Sequence, residues 1–243
     1  MRCAILGDIH GNLQALEAVI ADAREYGCVE FYCLGDVVGY NANPSECVDI
    51  VRNLPGICVM GNHDEAAAGS RPLSGFSTDA AISMEWTREQ LDSEQKEWLG
   101  ALRLQRQIRK FTFVHATLDS PSSWGYIRTL HEAEMSIALQ STPLCFIGHT
   151  HVPRAFGKGV GEIQLFDETN EGVHLPQGGK ILINAGSVGQ SRDGDWRAAY
   201  LIHDEASEGL WLRRIEYDVE GAAQAVLAAG LPEKLATRLR TGS

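Results

Sequence analysis

The sequence predicts an α/β protein in which two stacked, mixed β-sheets are flanked by helices. Three observations carry this reading. The first sixty residues alternate strand and helix, which implies parallel strands joined by right-handed crossovers. Two later apolar runs, Phe111–His115 and Leu144–Ile147, read as further buried strands. Beyond Val152 the chain turns to short strands and turns, the pattern of an antiparallel meander. Two sheets packed together with helices outside would bury both strand sets.

Taken in order, Cys3–Leu6 is the first short apolar strand. Asn12–Ala23 carries Leu13, Leu16, Val19 and Ile20 at helical spacing, with Asn12 placed to cap it. Phe31–Leu34 is the second strand, and Pro44–Arg52 the second helix, with Asn43 as cap and Pro44 in its first turn. Ile57–Met60 is the third strand. Ser77–Leu104 is amphipathic and helical, split in two where Asp92 and Gln95 form a capping box. A helix near Glu132–Leu139 separates the next two strands. The meander comprises Arg154–Phe156, Glu162–Leu165, Lys180–Asn184, Ala198–Ile202 and Leu210–Ile215. Glu220–Leu239 returns to helix, interrupted at Gly230 and Pro232. With no internal repeat and no low-complexity linker, a single domain over residues 1–243 is the simplest organisation.

Composition narrows the function. Thirty-two acidic residues against 21 basic give a net charge of −11, which disfavours a nucleic-acid partner. The six cysteines form no CxxC pair and several sit in apolar runs, as buried free thiols of a reducing compartment do. The first strand reaches Asp8 too early for a secretory hydrophobic region, and no apolar run approaches the roughly 18 residues a membrane span needs. The expectation is a cytoplasmic protein with no membrane partner.

Polar residues recur just past the ends of the buried strands. They are Asp8 and His10, Asp36, Asn62-His63-Asp64, His115, and His149 and His151. In a parallel sheet the carboxyl ends of strands face one crevice, so these clusters converge. Singly, each has an ordinary explanation: a turn pair, a helix cap, a satisfied core histidine. Together they offer two carboxylates, one amide and four imidazoles, leaving His63 aside. Oxygen and imidazole donors suit Mn, Fe, Zn or Ni. Two metals with three or four protein ligands each are accounted for if one carboxylate bridges. The remaining histidines, His131, His174 and His203, read as surface or structural.

Read as a set, GDIH at 7–10, GD at 35–36, GNHD at 61–64, VH at 114–115 and GHTH at 148–151 resemble the five motifs of the calcineurin-like metallophosphoesterases, in the same order. The stretch Asn184–Gly189 resembles a glycine-rich segment of the compact prokaryotic members. The resemblance implies a four-layer αββα sandwich and a phosphoester hydrolase with two divalent metals, for which Mn is the first choice and Fe, Zn and Ni are alternatives. It places Asp8, His10 and His151 on the first metal, Asn62, His115 and His149 on the second, and Asp36 between them. The implied attack comes from a hydroxide bridging the metals, with His63 facing the substrate and protonating the leaving oxygen. Asp64 either caps a helix or orients His63.

The substrate side departs from part of that family. Protein phosphatases in it carry an arginine shortly after the second motif. Here Tyr40 holds that place, and Gly39 replaces an aspartate that would support the catalytic histidine. A small-molecule phosphoester is therefore expected, a phosphodiester first. A phosphomonoesterase on nucleotides or phosphoproteins is the alternative, and a metal-binding regulatory scaffold without catalysis the last. Tyr40 is a candidate substrate contact or a rim-packing aromatic, and Arg128 and Arg192 are candidate cations.

Overall fold

A computed structural model describes residues 1–165, 173–174 and 179–243. In chain order the strands are β1 (Arg2–Leu6), β2 (Cys28–Cys33), β3 (Gly56–Cys58), β4 (Gln105–Ile108), β5 (Phe111–Val114), β6 (Leu144–Ile147), β7 (Arg154–Gly157), β8 (Gly161–Ile163), β9 (Val173–His174), β10 (Ile181–Asn184), β11 (Ala198–Asp204) and β12 (Gly209–Ile215). The helices are α1 (Leu13–Glu25), α2 (Pro44–Asn53), α3 (Asn62–Ala67), α4 (Thr78–Gln90), α5 (Ser93–Gly100), α6 (Leu130–Leu139), α7 (Val219–Ala228) and α8 (Glu233–Thr241).

The strands form two mixed sheets, in the orders β3-β2-β1-β11-β12-β9 and β4-β5-β6-β10-β7-β8. In the first, β1, β2 and β3 run parallel. In the second, β5, β6 and β10 do. Alternation along each central strand explains the layers. Cys3, Ile5, Tyr32, Phe111, Phe113, Leu144, Phe146, Ile181, Ile183 and Leu201 share the core between the sheets. Their neighbours Ala4, Leu6, Phe31, Cys33, Tyr200 and Ile202 face outward under the helical layer that includes α1 and α2. Cys145, Ile147 and Leu182 do the same under α6. A strand covered on both faces reads as an unbroken apolar run, which is why these were visible in the sequence.

The expected meander is not a single unit. β7, β8 and β10 belong to one sheet, while β11 and β12 belong to the other. β10 also pairs parallel to β6, from Ile181–Leu144 to Asn184–Ile147. Short apolar strands carry no mark of which sheet they join, and that choice is made by tertiary packing. β4 was missed because its QRQI sequence has one apolar residue. α3 carries little helical signal of its own, because its first turn, Asn62-His63-Asp64, is rich in turn formers.

The capping expectations divide. Asn12 accepts from the Ala15 amide, and Asp92 and Gln95 form the full box. Asn43 occupies the cap position of α2 but makes no capping bond, its amide instead donating to Glu46. Pro44 at the helix start removes one of the orphan donors such a cap would serve. Among the described residues no helix is long and apolar enough to cross a membrane. All six cysteines are free, and Cys58 alone is not fully buried.

His131 is exposed as expected, whereas the side chain of His174 lies outside the described residues. His203 is buried, its ring edge-on to Phe111 at 5.0 Å, and its Nε2 has no partner. Burial, with help from Lys110, pushes its pKa down to about 4. The unfolded chain therefore binds a proton between about pH 6.5 and 4 that the native chain refuses, so stability falls as pH drops through that window. Thermal melts of wild type and His203→Gln should diverge below pH 6.5. The wild type should lose on the order of 3 kcal/mol more by pH 4. Parallel curves would show the ring to be solvated.

Candidate active site

Every strand-end cluster named from the sequence arrives at one place, at the carboxyl ends of β1, β2, β3, β5 and β6. Backbone contacts assemble it. Asp8 and His10 donate their amides to the carbonyls of Gly35 and Asp36, tying the first loop to the second. Asp64 accepts from the amides of Gly61, Asp36 and Val37, tying the second to the third. It is thus a cap that also clamps the Asp36 loop, and it makes no hydrogen bond to His63. Asp8 in turn accepts from the His149 amide at 3.0–3.1 Å. Such close approach explains two motif glycines: a Cβ would meet an Asp36 oxygen at 2.1 Å on Gly61 and an Asp8 oxygen at 2.5 Å on Gly148.

The segment Asn184–Gly189 braces both ends of the site. Asn184 donates to the Gly148 carbonyl and to Thr150 Oγ1. Ser187 Oγ donates to the Asp8 carbonyl, and the Asn12 amide reaches Gly189 O beside its capping bond. Asp8, His10, Asp36, His149 and His151 all have φ between 51° and 69°. Left-handed backbone at five non-glycine residues costs on the order of 1 kcal/mol or more each, and it persists only where surroundings dictate it. His149 and His151, two residues apart, do not point into one group. These left-handed turns send them to different groups.

The side chains form interlocking sets: Asp8 with His10 and His151, Asp36 with His115 and His149, and His10 with Asp36 and His63. Within each, the potential ligand atoms lie within 4.8 Å of one another. Asp36 Oδ2 stands between the first two, 3.6 Å from His10 Nε2 and 3.3 Å from His115 Nε2. Four imidazoles donate outward to carbonyls: His10 Nδ1 to Val38, His115 Nδ1 to Leu34, His151 Nδ1 to Gln190 and His149 Nε2 to Trp124. A carbonyl only accepts, so each outer nitrogen carries the proton. The inner nitrogens face each other at 3.1 Å for His10 and His151 and 3.2 Å for His115 and His149, and a neutral ring presents a lone pair there. Asn62 Oδ1 is buried nearby with no partner. Opposed lone pairs and an orphaned amide oxygen fit divalent cations well.

The charge states agree in part. Burial keeps His10 and His151 well below the usual imidazole range, and holds His149 at about 3, so all three are neutral donors. Burial also raises Asp8 to about 7, against the pull of His115 and with a push from Asp36. Burial opposes the Asp36 carboxylate too, but His115, His63 and His10 outweigh it and hold Asp36 well below its usual range. His115 is raised to about 10 by Asp36, despite burial. In the metal-free chain a proton therefore bridges His115 and Asp36, where a metal would compete with it.

His63 differs from the other four imidazoles in its contacts. Its amide donates to Asp36 Oδ1. Its ring packs against His10, Tyr40 and Phe76 at 4.6–5.0 Å. Nδ1 is buried without a partner. Gly39 lies against it, and a Cβ there would fall 2.3 Å from Nδ1, on a backbone with φ of +92°. Gly39→Ala should therefore displace the His63 ring and reduce turnover at least about tenfold while metal content stays at the wild-type value. Wild-type kinetics in that variant would show that the ring position is not critical.

A cavity of about 380 Å³ opens onto these groups and includes Tyr40, Arg71, Tyr126, Arg192 and Arg238 in its lining. Tyr40 lines the cavity, its ring packs on His10, and its hydroxyl accepts from Arg192 at 3.2 Å. Arg192 thus reaches the site from the loop after Asn184–Gly189. Arg128 is not among the lining residues; its guanidinium lies over Tyr126, 4.1 Å from the ring centroid. Sequence reasoning missed Arg71, Arg238 and the Trp124–Tyr126 segment. Trp124 and Tyr126, two aromatics in a small polar stretch, were the available signal. The arginines had none.

Residues 1–208 match the model of the calcineurin-like phosphoesterase superfamily domain. The chain belongs to that superfamily. Among calcineurin-like relatives, a metallophosphoesterase from Sphaerobacter thermophilus is 38% identical, covering 100% of this chain and 99% of its own, with a TM-score of 0.89. An uncharacterised protein of Methanocaldococcus jannaschii is 38% identical over 98% of this chain and 97% of its own. A hypothetical protein from Pyrococcus horikoshii shares the fold at 20% identity, with a TM-score of 0.81 and coverage of 100% and 98%. Two mixed sheets flanked by helices are thus the metallophosphoesterase fold, and the expected architecture stands.

Proposed function

We propose that this protein hydrolyses a phosphoester of a small molecule, a phosphodiester first, using two divalent metals. The observation that carries the reading is the convergence of four imidazoles, each turned inward by a carbonyl on its outer nitrogen, with Asp36 Oδ2 between the two groups. Asp8, His10 and His151 would hold one cation, Asn62, His115 and His149 the other, and Asp36 both. Cations held there neutralise a phosphoryl group and activate water near neutral pH. Mn²⁺ is the first choice, with Fe, Zn and Ni as the others.

The chain's own residues supply the rest. The four backbone carbonyls that accept from the outer imidazole nitrogens fix ring orientation. Gly39 closes off His63 Nδ1, so proton exchange with the leaving oxygen of a bound ester falls to Nε2. Arg192, propped by Tyr40 and Gln190, offers its guanidinium to phosphoryl oxygens. That last feature favours a second reading, a phosphomonoesterase, because a dianionic group gains more from it.

Metal-stripped protein titrated with Mn²⁺ and assayed on a bis-aryl phosphate and on an aryl monophosphate tests both. Activity saturating at about two metals per chain is expected, with the faster ester deciding between the readings. Full metal binding without turnover of either ester would favour the non-catalytic scaffold.

A further inference from the structure

The cavity is cationic in an acidic protein. Asp36 is the one acidic residue in its lining among the described residues, against Arg71, Arg192 and Arg238. Arg71 is paired with Glu65 at 3.3 Å. Among the described residues, neither Arg192 nor Arg238 has a carboxylate partner, and Arg192 Nε is buried with no partner at all. Both guanidinium groups are half-buried and line the cavity, where they offer charge-assisted donors to an anion.

The two come from different parts of the fold. Arg192 belongs to the site proper: it lines the cavity and donates to the hydroxyl of Tyr40, whose ring packs on His10 and His63. Arg238 is carried by α8, beyond the residues that match the superfamily domain. Its position is built. Leu235, Ala236 and Leu239 share a core with Ala80 of α4 and with Tyr40. Arg240 pairs with Glu220 at 2.8 Å, Lys234 with Asp79 at 3.7 Å, and Gly242 O accepts from Gly194 N. The α7–α8 hairpin is thus clamped where it sets one arginine into the wall of a cavity several times larger than one phosphate.

We propose that Arg238 binds a second anionic group of the substrate, so that the natural substrate is an organic phosphate ester bearing a further phosphate or carboxylate beyond the scissile one. This rests on the phosphoesterase reading and narrows its substrate class. Arg192 serves the scissile phosphoryl group, and Arg238 the remote anion.

Calorimetry on the metal-loaded protein tests this with a short alkane bisphosphonate against the matching alkyl monophosphonate. Wild type should prefer the bisphosphonate by about tenfold or more. Arg238→Ala should cut that preference to about twofold or less, and Arg238→Lys should restore part of it. Equal affinities in the wild type, or a preference untouched by either substitution, would overturn the proposal. Phosphonates are not hydrolysed, so this result stands apart from turnover. A failure of bis-aryl phosphate hydrolysis would count against the phosphoesterase reading alone.

Discussion

Asp36→Asn should lose nearly all activity and part or all of the bound metal while leaving the fold standing. The carboxylate does three things at once. Its Oδ1 accepts from the His63 amide, its Oδ2 lies between His10 and His115, and its charge raises His115. Asparagine can keep the first through its own Oδ1. It cannot keep the others, because it is neutral and must present an NH₂ donor where an acceptor is needed. Loss of groups that only support metal ligands typically costs about 10–100-fold. A residue shared by both cation groups should cost at least about 10³-fold in turnover. Metal analysis should find fewer than two metals per chain. The metal-free variant should still melt cooperatively, since the loop keeps its ties to Asp64. Two bound metals and wild-type turnover would remove Asp36 from its proposed place.

His63→Ala should do the opposite: keep the metals and lose the rate, by about 10²–10⁴-fold. The experiment decides a real ambiguity. His63 lies within ligand distance of His10 and Asp36, so geometry alone permits it to be a ligand. Its buried, partnerless Nδ1 sets it apart from the other four imidazoles, each of which donates one ring nitrogen to a backbone carbonyl. If metal content falls with His63, its role as a proton donor is wrong. The defect should also shrink for esters with strongly acidic leaving groups, which need no proton, and a uniform loss across leaving groups would point to misplacement of substrate instead.

How much of this was legible depended on whether one short segment held the whole cause. The candidate ligands were legible because each sits directly after an apolar strand, and topology brings strand ends together. The central strands were legible because both of their faces are covered. The assignment of β11 and β12 to the first sheet was not, because strand partners are chosen across more than a hundred residues of chain, as with Ile5 and Leu201. α3 was hidden because Asn62 and Asp64 suit a turn as well as a helix start. Arg238 was hidden for a different reason: nothing local distinguishes an arginine on an amphipathic C-terminal helix from any solvated one. Only the packing of α8 against α4 gives it a target.

The left-handed backbone at Asp8, His10, Asp36, His149 and His151 bears on how such a centre could be copied into another scaffold. None of these residues prefers that conformation, so each is held by a loop that is not its own. Asp8 is fixed by Gly189 and Ser187, His10 by Asp36, and Asp36 by Asp64. Transplanting any one loop alone would let it relax toward ordinary dihedrals and carry its ligand away. The transferable unit is the whole ring of loops together with the Asn184–Gly189 brace. An engineer wishing to alter the chemistry would do better to leave that ring intact and change the hairpin beside it.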